Sequence, residues 1–482
     1  MESNPAQVPA RNPPASLCEA MRAGASSGSR RIAGGSVGFI SLGCAKNLVD
    51  SQLMAGVLLS EDIILAPSPE EADVVIVNTC AFIEDARRES EEAIQTACEL
   101  KAEGLCVAVL VAGCMPQRYK QALSKKFPEV DAFLGLDELE EVGNIVRELA
   151  GGERGIIRIS DSARKLFEPK IPGLSFTGGP FAYLKIAEGC NHHCSFCAIP
   201  AIRGRYRSRP VERIVQEAEQ LVKNEFRELN LISQDVTAYG AGLGGGTDIS
   251  SLIRALGRLE GEFWIRSLYG HPAGVTDKLM EAMLDVPQVC RYLDIPIQHS
   301  HPEILRAMGR GETADKLPEI IAHIRNVMPD IVLRTTCLVG FPGETEKHFE
   351  HLLEFIKAAE FDHLGVFIYS PEEHTKAFKM VNRPSVQVAE ERRDRVLTAQ
   401  REIVDKKAAA LIGTEAEVLL GKICPEDEGL IIGRSRRYAP EVDGCIFVSG
   451  ASKEDIGKFI KVRYTAQQDY DMKAVRCTEV NR

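Results

Sequence analysis

Nowhere in this chain do apolar residues run uninterrupted for the roughly 20 positions that a bilayer-spanning helix needs, so no membrane span is expected. Positive charge is also in short supply. The 58 Lys and Arg are outnumbered by 69 Asp and Glu, for a formal charge of −11. A protein that grips nucleic acid through bulk charge would be basic; this one suits a basic partner better. Cysteine, by contrast, is plentiful. Fourteen in 482 residues is too sparse for a secreted disulfide scaffold. In a reducing cytoplasm such thiols bind metal, do chemistry or sit in the core. Hydrophobic and charged fractions of 44% and 26% are those of an ordinary globular chain. A cytoplasmic protein of two or three domains is the expectation.

Residues 1–35 are nearly without acids: Arg11, Arg22, Arg30 and Arg31 face only Glu2 and Glu19, among many Ala, Pro, Ser and Gly. That composition predicts a disordered tail, with an organelle transit peptide as the other reading, and gives Cys18 no role. Over residues 36–149 short apolar runs alternate with helical stretches. VGFISL, DVVIVN and CVAVLVAG read as buried parallel strands, DAFLGL as a fourth, and segments such as NLVDSQLMAGVLLS as helices between them. This predicts a doubly wound α/β domain. Each of the first three strands runs into a cysteine, at Cys44, Cys80 and Cys114. Ligands of open parallel sheets bind beyond the strand carboxyl ends, so these three thiols are expected to meet at one edge as a metal site. One Cys after a strand can be merely a small buried hydrophobe; three in three strands point to metal. Cys98, within a helix, and Cys106, at the other end of its strand, read as ordinary core or surface thiols.

Residues 150–176 show little periodicity and read as an interdomain linker. A second β/α series fills 177–410, with strands in AYLKIAEGC, RELNLISQD, FWIRSLYG, RYLDIPIQ, IVLRTTCLVGF and HLGVFIYS. It predicts a partial (β/α)6 barrel whose chemistry lies at the strand carboxyl ends. The first such end carries EGCNHHCSFCAIP, placing Cys190, Cys194 and Cys197 at C-x3-C-x2-C spacing. Three thiolates on one loop can hold three irons of a cubane iron–sulfur cluster and leave the fourth iron open to a small molecule. The alternative is a zinc site completed by His192 or His193. Residues 411–482 hold short β-prone pieces separated by turns and predict a small antiparallel β-barrel. Its Arg434, Arg436 and Arg437 are offset by Glu426, Asp427, Glu428, Glu441 and Asp443, so it lacks the basic character of an RNA-gripping barrel.

Two cysteine trios in this order, followed by a terminal barrel, resemble the radical S-adenosylmethionine (SAM) methylthiotransferases over about residues 36–480. SLGCAKNLVDSQ, NTCAFIEDARRES, GCMPQRY, EGCNHHCSFCAIPAIRGRYRSRP, ISQDVTAYG, DIPIQH, LRTTCLVGFPGETE and YSPEEHTKA resemble the RimO branch, which modifies a ribosomal protein. The tRNA-modifying, MiaB-like branch would open with Gln-Gly-Cys-x-Met-Asn instead. Tyr438 stands where an acidic residue is expected in this branch, and Cys337 replaces a usually apolar one.

The resemblance implies an N-terminal methylthiotransferase domain, a radical SAM core and a TRAM barrel. It implies methylthiolation of an aspartate β-carbon in small-subunit ribosomal protein S12, with two SAM molecules consumed. A 4Fe-4S cluster on Cys190, Cys194 and Cys197 would cleave SAM, and an auxiliary 4Fe-4S cluster on Cys44, Cys80 and Cys114 would carry the sulfur. Reduction would come from a low-potential donor such as a flavodoxin or ferredoxin, and tRNA is not expected as a direct substrate. Phe196 is a candidate to pack beside the SAM adenine, or else a core aromatic under its loop. Gln234 and Arg334 are candidate SAM or carboxylate contacts, Arg334 alternatively a salt-bridge partner within the barrel. GFPGE (Gly340–Glu344) reads as a strand-to-helix turn near SAM or as a tight turn without ligand contact. Two other readings stay open: a tRNA adenosine methylthiotransferase, and a non-catalytic iron–sulfur or zinc scaffold that binds ribosomes.

Overall fold

A computed structural model describes residues 35–477; the expected tail, with Cys18, lies outside the described residues except for Gly35. The described chain divides into two compact units. One comprises 35–178, 183–192 and 197–220, the other 179–182, 193–196 and 221–477.

The first unit is built on a six-stranded sheet. Its strands are β1 (Ser36–Ser41), β2 (Ile64–Leu65), β3 (Val74–Thr79), β4 (Ala108–Gly113), β5 (Ala132–Leu134) and β6 (Ile156–Arg158), in the order β2-β1-β3-β4-β5-β6. Every pairing is parallel. β3 (VVIVNT) and β4 (AVLVAG) are buried along their whole length, as parallel strands with crossover helices on their faces must be. The helices Ala45–Ser60 and Glu84–Ala102 follow β1 and β3. Chain order reverses between β1 and β3, which makes that boundary the switch point where open sheets part their loops. One difference from the sequence reading concerns 150–176, expected as linker: Ile156–Arg158 extends the sheet as its last strand, beside β5. Three residues are too few to show a period of two, so the strand left no pattern to read.

The second unit carries a parallel sheet of β10 (Glu228–Ile232), β11 (Trp264–Ser267), β12 (Val289–Asp294), β13 (Val332–Val339) and β14 (His363–Ile368), in chain order. It is led by β7 (Phe181–Lys185), of which Phe181 and Ala182 belong to this unit. Helices such as Ile249–Leu256, Asp277–Asp285, Leu317–Val327 and Glu346–Ala359 connect successive strands. This is the six-unit β/α repeat expected from the sequence. Between β7 and β10 come two short strands, β8 (Ala187–Glu188) and β9 (Arg207–Ser208), which pair with each other in the first unit.

The last five strands, β15 (Glu415–Ile423), β16 (Leu430–Arg434), β17 (Ile446–Ser449), β18 (Phe459–Gln468) and β19 (Asp471–Arg476), close into a barrel in the order β15-β16-β17-β19-β18. This is the expected small antiparallel barrel, with one parallel pair, β17 and β19. Parity requires it: alternating up and down around a ring of five strands leaves one neighbouring pair pointing the same way. The barrel packs on the amino-terminal ends of the sheet. Trp264, at the start of β11, packs against Phe459 with ring centroids 4.7 Å apart and planes tilted by 43°. Fully buried Glu228 receives Arg266 at 2.7 Å and Arg434 at 2.6 Å. Arg436 donates to the carbonyls of Pro287 and Val289, and Arg437 pairs with Asp362 at 2.9 Å. Asp443 accepts from the Tyr292 hydroxyl at 2.6 Å.

Candidate metal centre

Cys44, Cys80 and Cys114 follow the carboxyl ends of β1, β3 and β4, the three strands around the switch point. Local chemistry holds them there. Gly43 and Gly113, each just before a cysteine, have φ of +79° and +97°, a region that costs a side-chain-bearing residue about 1–2 kcal/mol. Space forbids a side chain too. A Cβ on Gly43 would lie 2.7 Å from Cys80 Cβ and 3.1 Å from its Sγ, and one on Gly113 would lie 2.3 Å from Asn78 Oδ1. Asn47 binds the loops together, donating to the carbonyls of Leu42 at 2.7 Å and Asn78 at 3.2 Å. Asn78 answers by donating to the Asn47 carbonyl and the Ser51 hydroxyl. Ser90 exchanges hydrogen bonds with both backbone groups of Cys80.

The three thiols act on one another electrostatically. Burial, then the neighbouring Cys114 and Cys44, push the Cys80 thiol up. Burial pushes Cys114 up to about 11, with Arg203 opposing and Cys44 and Asp50 adding to the rise. Cys44 opens to the surface at one side, yet burial against the rest of the unit is the largest influence and disfavours its thiolate. Lys46, Arg203 and the backbone N–H groups of Asn47 and Lys46 together outweigh it, leaving the thiol below its usual value. Three thiols whose ionised forms repel one another, with no carboxylate or imidazole in the set, make a donor set for a thiophilic, multiply charged centre that would offset that repulsion. The residues fit an iron–sulfur core.

Sequence reasoning missed the charged clamp behind this trio. Arg203, 2% exposed, donates from Nη2 to Cys114 Sγ at 3.3 Å and to Asp50 Oδ2 at 2.8 Å. Its Nη1 meets both Glu188 oxygens at 3.1 Å. Lys185 completes the quartet, 2.7 Å from Asp50 and 3.0 Å from Glu188. The available signal was Lys185 and Glu188 inside the apolar run AYLKIAEGC, where unpaired charges would be prohibitively costly.

Glu188 and Arg203 stand before Cys190 and after Cys197, so the same ion pair closes the base of the loop bearing the second trio; Cys190 N donates to Gly204 O at 3.1 Å. Within the second unit, Ser195 donates from its backbone to Met308 O and from its hydroxyl to Ala307 O, and its own carbonyl accepts from Ala377 N. Phe196 is half-buried against Ile304, Met308, Leu338, Phe341, Tyr369 and Ala377. His193, one of the two histidines weighed as a zinc ligand, is exposed.

Gln234 is half-buried, just past the carboxyl end of β10. Arg334 is committed to carboxylates, 3.0 Å from Asp294 and 3.3 Å from Asp443, so the salt-bridge alternative describes its contacts. In GFPGE the Glu344 carboxylate accepts from Phe341 N at 3.0 Å, and the Glu344 backbone N–H donates to Phe341 O, which closes the turn on itself. Cys337 is fully buried and serves as an apolar residue. Tyr438 is buried with its ring 5.4 Å from that of His363. Cys106 belongs to the core of the first unit, and the partly buried Cys98 packs against it.

A three-thiol loop after the leading strand of a parallel β/α series, followed along the chain by a closed barrel, is the framework of a radical SAM enzyme. The Radical SAM superfamily matches residues 184–356, the TRAM domain 412–476 and the uncharacterized protein family UPF0004 36–135. Among curated relatives, "Ribosomal protein uS12 methylthiotransferase RimO" of Pelobacter propionicus is 41% identical, covering 90% of this chain and 96% of its own. The RimO proteins of Synechocystis sp. and Symbiobacterium thermophilum are 42% and 43% identical, covering 91% and 90% of this chain and 97% and 90% of their own. The chain belongs to the RimO family. A solved radical SAM methyltransferase, TsrM from Kitasatospora setae, shares the fold at a TM-score of 0.52 and 15% identity, covering 71% of this chain and 73% of its own.

Proposed function

We propose that this protein methylthiolates the β-carbon of an aspartate in ribosomal protein uS12, consuming two SAM molecules and a sulfur carried at an auxiliary 4Fe-4S cluster. The observation that carries the reading is the convergence of Cys44, Cys80 and Cys114 from three strand ends onto one switch point. The curated relatives bear the uS12 methylthiotransferase name over nine-tenths of the chain.

Cys190, Cys194 and Cys197 would hold the cluster that engages SAM; Cys44, Cys80 and Cys114 would hold the auxiliary one. The target hydrogen is unactivated, far beyond the reach of any side-chain base; bound SAM and the two clusters supply the electron, the radical and the sulfur it requires. The chain's own work is positioning. Gly43, Asn47, Asn78 and Ser90 fix the three thiols of the first trio, and the Glu188–Arg203 pair fixes the base of the second loop. Phe196 is held by a packed apolar cluster, which suits a rigid wall beside a bound nucleoside. An external low-potential donor, a flavodoxin or ferredoxin, would reduce the enzyme.

A protein substrate is favoured over tRNA because the barrel's Arg434, Arg436 and Arg437 are engaged with Glu228, backbone carbonyls and Asp362. The deciding experiment incubates anaerobically reconstituted, reduced protein and SAM with either a uS12 peptide or tRNA, followed by mass spectrometry. A methylthio group on the peptide aspartate is expected. Modification of tRNA alone would overturn the substrate, and absence of SAM cleavage would leave a non-catalytic scaffold.

A further inference from the structure

One guanidinium lies against a cluster thiol in a place where a charge needs a reason to be. Arg203 is almost fully buried and ends the helix Ile199–Arg203. Its position is over-determined: Asp50 and Glu188 take three hydrogen bonds from it at 2.8–3.1 Å, and Asn47 Oδ1 a longer one at 3.4 Å. Asp50 and Glu188 are in turn held by Lys185, so two acids and two bases form a neutral quartet. A quartet serving only to stitch the unit together would need no donor beyond it. Here two Nη2 contacts leave the quartet, the longer one to Asn47 Oδ1 at 3.4 Å and the other to Cys114 Sγ at 3.3 Å.

Resting on the auxiliary-cluster reading above, we infer that Arg203 is a positioning residue for that cluster, holding a hydrogen-bond donor on the Cys114 sulfur and so setting the reduction potential of the iron–sulfur core. Donors and positive charge at the ligating sulfurs stabilise the more negative, reduced state and raise the potential. A buried setting enlarges the effect, since little water screens it. Asp50 and Glu188 hold the fork with Nη2 within hydrogen-bonding distance of the sulfur. Lys at this position could keep the charge but not serve sulfur and both carboxylates together, because an ammonium lacks the planar fork. Removing the guanidinium takes the donor away and leaves the remaining three charges net negative beside the core. Both changes act in the same direction.

The test uses full-length protein in which Cys190, Cys194 and Cys197 are all replaced by Ala, so that only the auxiliary cluster can load. Iron analysis after anaerobic reconstitution comes first, and about four irons per chain are expected for one 4Fe-4S core. Failure of this parent to load iron would sink the auxiliary-cluster reading itself. With the parent loaded, redox titration followed by electron paramagnetic resonance compares it with Arg203→Met and Arg203→Lys. The midpoint is expected to move to more negative potential in Arg203→Met, with Arg203→Lys between it and the parent. A midpoint in loaded Arg203→Met equal to the parent's overturns the inference. If Arg203→Met does not hold its cluster, Arg203→Lys decides: a negative shift supports the role, and an unchanged midpoint shows that Arg203 only holds the fold.

Discussion

Replacing Gly43 by Ala should remove one cluster and leave the other. The new Cβ would stand 2.7 Å from Cys80 Cβ and 3.1 Å from its sulfur. Carbon pairs rest at about 3.5–4.0 Å, so either the turn before Cys44 or the end of β3 must move by most of an ångström. Metal–ligand distances tolerate only about 0.2 Å, and Cys44 and Cys80 sit on opposite sides of the contact. The fold itself should survive. The left-handed backbone costs Ala about 1–2 kcal/mol, and even with some strain added this is less than the roughly 5–15 kcal/mol that holds a typical domain. Iron after anaerobic reconstitution should therefore fall from about eight per chain to about four. Methylthio transfer should be lost, while SAM cleavage and a cooperative melt persist. Full iron and unimpaired transfer in Gly43→Ala would refute the argument that this turn sets the ligand geometry.

Cys44→Ala should leave SAM cleavage intact and abolish methylthio transfer, whereas Cys194→Ala should eliminate cleavage; loss of both activities in Cys44→Ala, with its other cluster still present, would contradict that division. Burial raises the Glu344 carboxyl to about 7, against the opposing pull of Arg392. Between about pH 4.5 and about 7 the folded protein thus keeps a proton that the unfolded chain has released, and stability falls as pH rises, by about 3 kcal/mol over the window. Urea unfolding near pH 5 and near pH 8 should show that slope in the parent and a flatter one in Glu344→Gln; equal slopes would count against it. Glu228→Gln would leave Arg266 and Arg434 buried around a neutral amide, at a cost of about 3–5 kcal/mol. Thermal melting should register that loss, and a change below about 1 kcal/mol would mean the pairing contributes little.

What could be read from the sequence was what repeats or punctuates. β3 and β4 announced themselves as Val/Ile and Ala/Val/Leu runs, and the cysteine following each marked the candidate site. β6 left no trace because three residues between loops carry no period. The clamp was only half visible. Lys185 and Glu188 interrupt an apolar stretch, but their partners Asp50 and Arg203 come from two separate helices, Asp50 far away along the chain, and periodicity says nothing about which helix meets which strand. The parallel pair β17·β19 was hidden for a similar reason: short strands reveal their number, while direction follows from ring closure.

Charge counting on the barrel reached the right balance without showing what the charges do. Three arginines against five acids looks like a neutral surface. In the structure Arg434 is turned inward onto Glu228, Arg436 lies over the Trp264 ring at 5.3 Å while donating to two backbone carbonyls, and Arg437 meets Asp362. Asp443, one of the five acids, is likewise spent on Tyr292 and Arg334. These groups dock the barrel onto the sheet, which commits the three arginines to contacts within the unit. A polyanion reaching these three arginines would have to compete with the contacts that dock the barrel.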